Sequence, residues 1–341
     1  MNTVFDQADF CLCSVPTPNG YPQSQTHVGV WEKDGVVFIT TSPFPSIKRP
    51  AWVSYLRAGI NKLSFGIFCK YIRGEFYENP LLYSSVDGFH FNLVQSKPLM
   101  DTPDPYYGLP AFNSDPDLYI EGNTISVLNR AIFRSSYNKI DNRYEYVIRL
   151  YLIQGLLDEG RFKMISTKLI KEFNELSVSP CLTKYDGTYY LFQLYTNSYN
   201  DGNSFDGLRF LKSNTIEGLE YENEWNTVSV ETGDFIPWHM SVFYYKGTLY
   251  SIVACVKIGQ PQRCWQMLGE FDKELSTLKI YQKPLSDYNS YRGAAYISEH
   301  GIFNLYTTTV SERIKGGKSV DGREVLLAQK PFEQLLEELR R

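Results

Sequence analysis

The feature that most restricts what this chain can fold into is a local pattern that returns five times. A polar residue opens an apolar strand, a tight turn follows at Asp-Gly or a similar pair, and a second, aromatic strand comes back, at an interval of about sixty residues. The first copy is His27 to Trp31, turn Lys33-Asp34-Gly35, then Val36 to Thr40. The second runs from Ser114 to Ile120, turns at Glu121-Gly122-Asn123 and returns from Ile125 to Leu128. Ser179 to Thr183 with Tyr189 to Phe192, Trp238 to Tyr244 with Leu249 to Val253, and Tyr291 to Tyr296 with Ile302 to Tyr306 complete the set. Each copy is followed by room for two more strands, such as Leu81 to Ser85 and Phe91 to Val94 in the first. Four strands per unit repeated five times predict an all-β, five-bladed β-propeller, because radial repetition leaves only short, protected sheet edges. The expected organisation is one domain over residues 1–341, with blade starts near 27, 114, 179, 238 and 291. A β-sandwich with insertions is the alternative. The one helical segment is short and C-terminal, Pro331 to Arg341, with Phe332, Leu335, Leu336 and Leu339 on one face.

Composition agrees with strands. Aromatic residues make up 15% of the chain, with Tyr 26 and Phe 21, and flat side chains suit a half-buried pleated surface. Formal net charge is -4 and no Lys/Arg-rich run occurs, so the electrostatic footprint of a nucleic-acid binder is missing. No segment approaches the roughly 18 to 20 apolar residues that span a bilayer. Met1 to Asn19 carries Asp6 and Asp9 without a basic, then apolar, pattern, so no signal peptide is expected; the compartment stays open between cytoplasm, a virion and a trimmed secreted protein. Cys11, Cys13, Cys69, Cys181, Cys255 and Cys264 lack zinc-ligand spacing and are expected to be buried free thiols.

A propeller places the start of every innermost strand at one mouth of its central channel. His27, Asp115, Ser179, His239 and Arg292 stand at those starts, and all are polar. Third strands start at the same mouth farther from the axis, which places Glu78 and Asn79 there; second strands end there, which places Asn129 and Arg130 on the rim. Strand ends and loops are where a rigid scaffold carries function. Within this set Asp115 could line the pocket or cap a turn, and His27 could be a base, a sugar donor or a structural histidine. Arg292 could bind a sugar carboxylate or hydroxyls, or pair with Asp115 and keep it ionised. Trp238 and the Tyr106-Tyr107 pair are the candidates for stacking on a sugar face, whereas Trp31, Trp225 and Trp265 are expected in blade cores. Asp34-Gly35, Asp87-Gly88 and Asp186-Gly187 are read as hairpin turns.

Tyr77-Glu78-Asn79-Pro80, Ser84-Ser85-Val86-Asp87-Gly88, Asn113-Ser114-Asp115-Pro116-Asp117-Leu118, Ser179-Pro180, Trp238-His239 and Tyr291-Arg292 follow one another in an order that resembles the landmarks of propeller proteins related to arabinanases and β-xylosidases. The resemblance runs from about Thr26 to Tyr306 and is most specific at Asn-Ser-Asp-Pro-Asp. It implies a five-bladed propeller cleaving glycosidic bonds with inversion, through an Asp base in blade one, an acid-tuning Asp in blade two and a Glu acid in blade three. Asp115 matches the tuning Asp. His27 stands where the base belongs, and Val178 where the acid belongs; a valine neither delivers a proton nor activates water. Glu78, Glu175 or Asp234 would have to substitute, and the catalytic expectation is therefore Asp115 with Glu78. The remaining pocket residues, His27, Asn79, Asn113, Asp117, Arg130, Ser179, Trp238, His239 and Arg292, are expected to bind substrate. The expected partner is an oligo- or polysaccharide, with no nucleic acid and no membrane. No cofactor is implied; a central cation such as calcium is left open but not indicated. The expectation is thus a glycoside hydrolase-like protein, with a non-catalytic carbohydrate-recognition propeller, in a surface or phage-particle assembly, as the alternative.

Overall fold

The computed structural model describes residues 3–18, 24–44, 60, 63, 78–104, 111–138, 143–158, 161–196, 205–286, 288–315 and 318–341. Strand β1 (Phe10–Leu12) comes first. It is followed by four antiparallel meanders: β2 (Ser24–Lys33) to β3 (Val36–Phe44), β4 (Leu81–Ser85) and β5 (Asn92–Leu93); β6 (Ala111–Glu121) to β7 (Thr124–Asn138), β8 (Arg143–Asp158) and β9 (Arg161–Phe173); β10 (Leu176–Tyr185) to β11 (Thr188–Thr196), β12 (Gly207–Ser213) and β13 (Asn226–Glu231); and β14 (Phe235–Tyr245) to β15 (Thr248–Lys257), β16 (Gln260–Phe271) and β17 (Thr277–Ile280). The last is β18 (Ser290–Ile297), β19 (Ile302–Lys315) and β20 (Lys318–Pro331), whose fourth strand is β1. Parallel pairing of β13 with β17 fuses the third and fourth meanders into one eight-stranded sheet.

The first strands of the meanders close a ring: β2 packs beside β6, β6 beside β10, β10 beside β14, β14 beside β18, and β18 beside β2. This is the arrangement of a β-propeller. The approach is close enough that a Cβ on Gly29 would lie 2.9 Å from Thr40 Oγ1 and 3.2 Å from the Leu118 backbone nitrogen, so the glycine lets β2 reach β6. The ring is completed by the N-terminal segment, since β1 pairs antiparallel with β20 through Cys11 opposite Leu327. A three-residue strand carries no readable periodicity, and its role was not legible in the sequence.

The turns obey local chemistry. Asp34-Gly35, Asp186-Gly187 and Lys246-Gly247 each connect two strands through two residues with positive φ, the type I′ geometry that matches the strand twist. The C-terminal helix α1 (Phe332–Arg340) buries Phe332, Leu335, Leu336 and Leu339, the face anticipated from spacing, against a cluster that includes Phe243, Tyr250 and Phe303. Phe332 is fully buried, with its ring 5.6 Å from Phe303 and 5.0 Å from Tyr250. Phe332→Ala is expected to cost about 3–5 kcal/mol, read from the shift of a urea unfolding midpoint monitored by circular dichroism; a loss below ~1 kcal/mol would show that the helix adds little to the ring it covers.

Among the cysteines the expectation holds in part. Cys13, Cys181 and Cys255 are buried, but Cys11 is exposed and Cys264 half-buried, and no disulfide forms among the described residues. Cys11 and its neighbour Leu12 are both exposed on β1, the edge strand of its sheet. Cys69 lies outside the described residues. Trp265 is buried; Trp31 and Trp225 are partly buried against apolar clusters.

Candidate active site

Every innermost strand breaks register at the same level. The irregularities fall between Thr26 and Gly29, Ser114 and Asp117, Val178 and Cys181, Pro237 and His239, and Ser290 and Gly293. A β-bulge re-aims the side chain it carries, and Pro116 and Pro180 fit there because a bulged residue has no ladder bond to donate. The backbone is driven into the left-handed region at His27 (φ 55°), Asp115 (φ 50°) and Ser179 (φ 46°), and also at Glu78 (φ 50°). Of the eight non-glycine residues with positive φ among the described residues, these four share the centre of the ring. Such conformations cost of order 1–3 kcal/mol each and persist where the surroundings hold them.

What holds them is a network around Asp115, which is fully buried. Its Oδ1 lies 2.9 Å from His27 Nε2 and 3.6 Å from His239 Nδ1; its Oδ2 lies 2.8 Å from an Arg130 nitrogen and accepts the Ser179 backbone N–H at 3.1 Å. Glu78 Oε2 stands 3.1 Å from the other nitrogen of His27 and accepts the Ser114 hydroxyl at 2.6 Å. Arg130 also donates to the Ser177 carbonyl and to Ser114 Oγ. Ser179 Oγ and His239 Nδ1 are 2.6 Å apart. Sequence-distant polar residues from four first strands, His27, Asp115, Ser179 and His239, with partners from a second and a third strand, thus meet as radial convergence requires.

The charges follow from the contacts. Burial opposes ionisation of Asp115, yet Arg130 and His27 outweigh it and hold the carboxyl well below its usual range. Burial by itself pulls His27 down, but Asp115 and then Glu78 overcome it and raise the imidazole. His239 goes the other way: burial holds it well below its ordinary value, and Asp115 does not compensate. The centre therefore combines an anionic Asp115, a cationic Arg130, a proton-holding His27 between two carboxyls, and a neutral His239.

Arg292 departs from the expectation. It is fully buried, but its partner is Asp117 at 3.1 Å rather than Asp115, and it donates to the Pro116 carbonyl at 2.9 Å. The cation on Asp115 is Arg130. The bulge is the reason: Asp115 and Asp117 are separated by a register shift and enter different networks, and Asp117 also accepts the Leu182 N–H. Burial pushes the Asp117 carboxyl up to about 6, against the pull of Arg292. In the fifth meander the bulge holds Tyr291 as well as Arg292, and Tyr291 is the residue that joins the centre, its ring 5.2 Å from His27 and 4.6 Å from His239. Alignment of Tyr291-Arg292 with His27-Val28, Asp115-Pro116 and Ser179-Pro180 would have found it. Trp238 stands edge-on to His239 at 5.6 Å, Trp238 and Tyr291 are half-buried beside the buried cluster, and the Arg323 guanidinium lies over the Tyr291 ring at 4.8 Å.

Asn79 and Asn113 form a separate amide ladder. Asn113 Nδ2 donates to Asn79 Oδ1 at 2.8 Å and to the Asp101 carbonyl, and Asn129 Nδ2 donates to Asn113 Oδ1 at 3.0 Å. These side chains fasten the third-strand approach, bringing Glu78 inward. Glu175 is tied to Arg209, and Asp234 is exposed. Val178 is buried in the apolar core. Tyr77, Tyr106 and Tyr107 lie outside the described residues.

The donor set of the centre also suits a cation. His27, Asp115 and His239 each offer one ligand atom, all within 4.8 Å of one another. No helix among the described residues is long and apolar enough to cross a membrane.

No protein-family model and no curated protein matches the chain. Solved structures do match in fold. An N-acetylgalactosamine deacetylase from F. plautii, solved with blood group B trisaccharide, superposes with a TM-score of 0.64 at 16% identity, over 96% of this chain and 97% of that one. A xylan β-1,4-xylosidase from Bacillus halodurans C-125 gives 0.61 at 14% identity over 92% of this chain and 54% of its own, and an exo-1,5-α-L-arabinanase from a bovine ruminal metagenomic library gives 0.54 at 10% over 92% and 96%. The ring of meanders in this chain is therefore the β-propeller fold of arabinanase- and xylosidase-type enzymes, among them members of glycoside hydrolase family 43.

Proposed function

We propose that this protein is a carbohydrate-active hydrolase that binds a glycan against Trp238 and Tyr291, above the Asp115 cluster. The observation that carries the reading is the convergence of His27, Glu78, Asp115, Arg130, Ser179 and His239 on one buried centre, with two half-buried aromatic rings beside it. An aromatic ring offers a sugar an apolar face, and convergent polar groups fix its orientation. Asp115 acts as the fixed anion, since its contacts keep it ionised. Glu78 is the carboxyl that moves a proton: it is 6% exposed where Asp115 is 0%, and it touches both His27 and the Ser114 hydroxyl.

The bond cut is better read as a sugar acyl group than as an inverted glycosidic linkage. Inverting cleavage places two carboxyls about 6.5–9.5 Å apart with a water and the sugar between them, whereas the space between Glu78 and Asp115 is filled by the His27 ring. The likeness to a sugar deacetylase supports the same reading. Reducing-sugar release and acetate release are to be measured in parallel on a panel of polysaccharides and N- or O-acetylated oligosaccharides. Acetate release that falls at least ~100-fold in Asp115→Asn is the expected result. Reducing-sugar release with the same loss would move the chemistry to the glycosidic bond. Glycan binding without turnover would make the protein a recognition propeller, and no binding to any glycan overturns the carbohydrate reading.

A further inference from the structure

We propose that Arg323 is a positioning residue of the site, which fixes the Tyr291 ring beside the central cluster by spanning the seam between the fifth meander and the first. Its consequence for glycan affinity rests on the carbohydrate reading above; its geometry does not.

The seam needs such a residue. Along their ladders β2 hydrogen-bonds to β3 and β18 to β19, and among the described residues these two first strands pack beside one another without a ladder between them. Side chains must therefore fix how the last meander sits against the first. Arg323 stands in β20, opposite Val310 on β19, and reaches across the seam twice. Its backbone N–H donates to Ser24 Oγ at 2.7 Å, and a guanidinium nitrogen donates to Thr26 Oγ1 at 3.0 Å. All three residues are buried. Thr26 is the last residue in register before the bulge that turns His27 inward. The same guanidinium lies 4.8 Å from the centroid of the Tyr291 ring, and Tyr291 sits in the corresponding bulge of β18. One side chain thus grips both bulges, whose residues His27 and Tyr291 have their rings 5.2 Å apart.

A guanidinium suits that task. It is planar, so it can lie on an aromatic face while its edge N–H groups bond in its own plane; a lysine ammonium carries the charge but offers a point in place of a plane. The contact matters because Tyr291 is half-buried. A half-buried ring that must be ordered when its ligand arrives weakens binding by the cost of ordering it, and a ring already held in place avoids that cost. The ionic contacts of the centre run through other side chains, His27 to Asp115 and Glu78, and Arg130 to Asp115. Loss of Arg323 therefore falls on binding more than on the chemical step.

The full chain is compared as wild type, Arg323→Met, Arg323→Lys and Thr26→Val. The first readout needs no glycan. Fluorotyrosine is incorporated, the Tyr291 fluorine resonance is assigned with Tyr291→Phe, and its position and width are recorded well below the thermal midpoint of each variant. The second is KM and kcat for acetate release, with Kd by calorimetry, on each N- or O-acetylated oligosaccharide of the panel. Arg323→Met is expected to move the Tyr291 resonance and to raise KM or Kd at least ~10-fold, while kcat falls less than ~3-fold. Arg323→Lys should resemble Arg323→Met, because the plane is lost although the charge is kept. Thr26→Val removes only the tether and should give a smaller change in the same direction; it decides alone if neither Arg323 variant folds. A lowered midpoint with the Tyr291 resonance in place would reduce Arg323 to a structural strap and overturn the proposal. A moved resonance with unchanged KM and Kd, or full recovery in Arg323→Lys, overturns it too and leaves the carbohydrate reading standing. If the wild type neither binds nor turns over any glycan, that reading fails, and the fluorine resonance still decides whether Arg323 holds Tyr291.

Discussion

Replacing Asp115 by alanine is expected to destabilise the fold by about 3–5 kcal/mol, the cost of leaving a buried charge without its partner. Asp115 is fully buried and faces Arg130 and His27 while accepting the Ser179 N–H. Alanine abandons all three groups at once, and Arg130, itself buried, has no solvent to turn to. Asparagine keeps the volume and an acceptor for the N–H, so its deficit should be smaller. Urea unfolding followed by tryptophan fluorescence measures both variants; an alanine variant within ~1 kcal/mol of the parent would mean that the cluster is relaxed and hydrated. The pH dependence gives a second check. Because the folded carboxyl lies well below its ordinary value, the stability that Asp115 supplies is complete above the unfolded value of about 4 and is lost as the pH falls from there towards the folded value. That acid limb should be missing in Asp115→Asn.

Arg292→Met is expected to cost a similar ~3–5 kcal/mol, by a different route. Met fills much of the volume, but Asp117 loses its counter-ion and the Pro116 carbonyl loses its donor. The penalty should depend on pH. Asp117 is raised to about 6 with Arg292 present, and removing the cation raises it further. A carboxyl raised on folding is favoured in its protonated form, so its contribution is best below the unfolded value of about 4 and declines as pH rises through the folded value. The deficit of Arg292→Met should therefore be larger at pH 8 than at pH 5. Changing both partners, Arg292→Met with Asp117→Leu, should restore most of the stability, since a buried pair replaced by apolar groups is often neutral; the Leu182 N–H, left without its acceptor, limits the recovery. A double variant no better than Arg292→Met would show that the pair is not the source of the loss.

Hairpins were the most legible part of the sequence. Asp34-Gly35 and Asp186-Gly187 specify their turns by residue type alone, and the strands on either side contain the expected runs but extend beyond them, as β2 (Ser24–Lys33) does around His27 to Trp31. The spacing Phe332, Leu335, Leu336, Leu339 marks the buried face of α1 for the same reason: helix periodicity is local. The set of residues at the centre was also readable, since identical position in a repeated unit places His27, Asp115, Ser179 and His239 at one level of a ring. Glu78 and Arg130 were legible as neighbours of that level, but not as contacts.

What resisted reading was pairing. The sequence suggests Arg292 as the cation for Asp115 and leaves Arg130 on the rim, whereas the structure pairs Arg130 with Asp115 and Arg292 with Asp117 across the bulge at Asp115-Pro116. Tyr291 was passed over for Arg292 because the side chain that a bulge turns inward depends on backbone φ and ψ, which residue types do not reveal. The closing strand β1 was invisible for a related reason: three residues acquire meaning only from the unpaired edge of β20.

By itself the sequence determined the class of fold, most of the turns and four members of the central cluster, His27, Asp115, Ser179 and His239, because strand alternation, turn chemistry and repetition act over a few residues or through equal position in a repeat. Only the tertiary structure decided the charge partners, the bulges that turn Asp115 and Tyr291 inward, and the filling of the gap between Glu78 and Asp115 by His27. Those depend on distances between groups far apart in the chain, such as Asp117 and Arg292, 175 residues apart, and on burial, which turns contacts of about 3 Å into the interactions that set which groups hold protons.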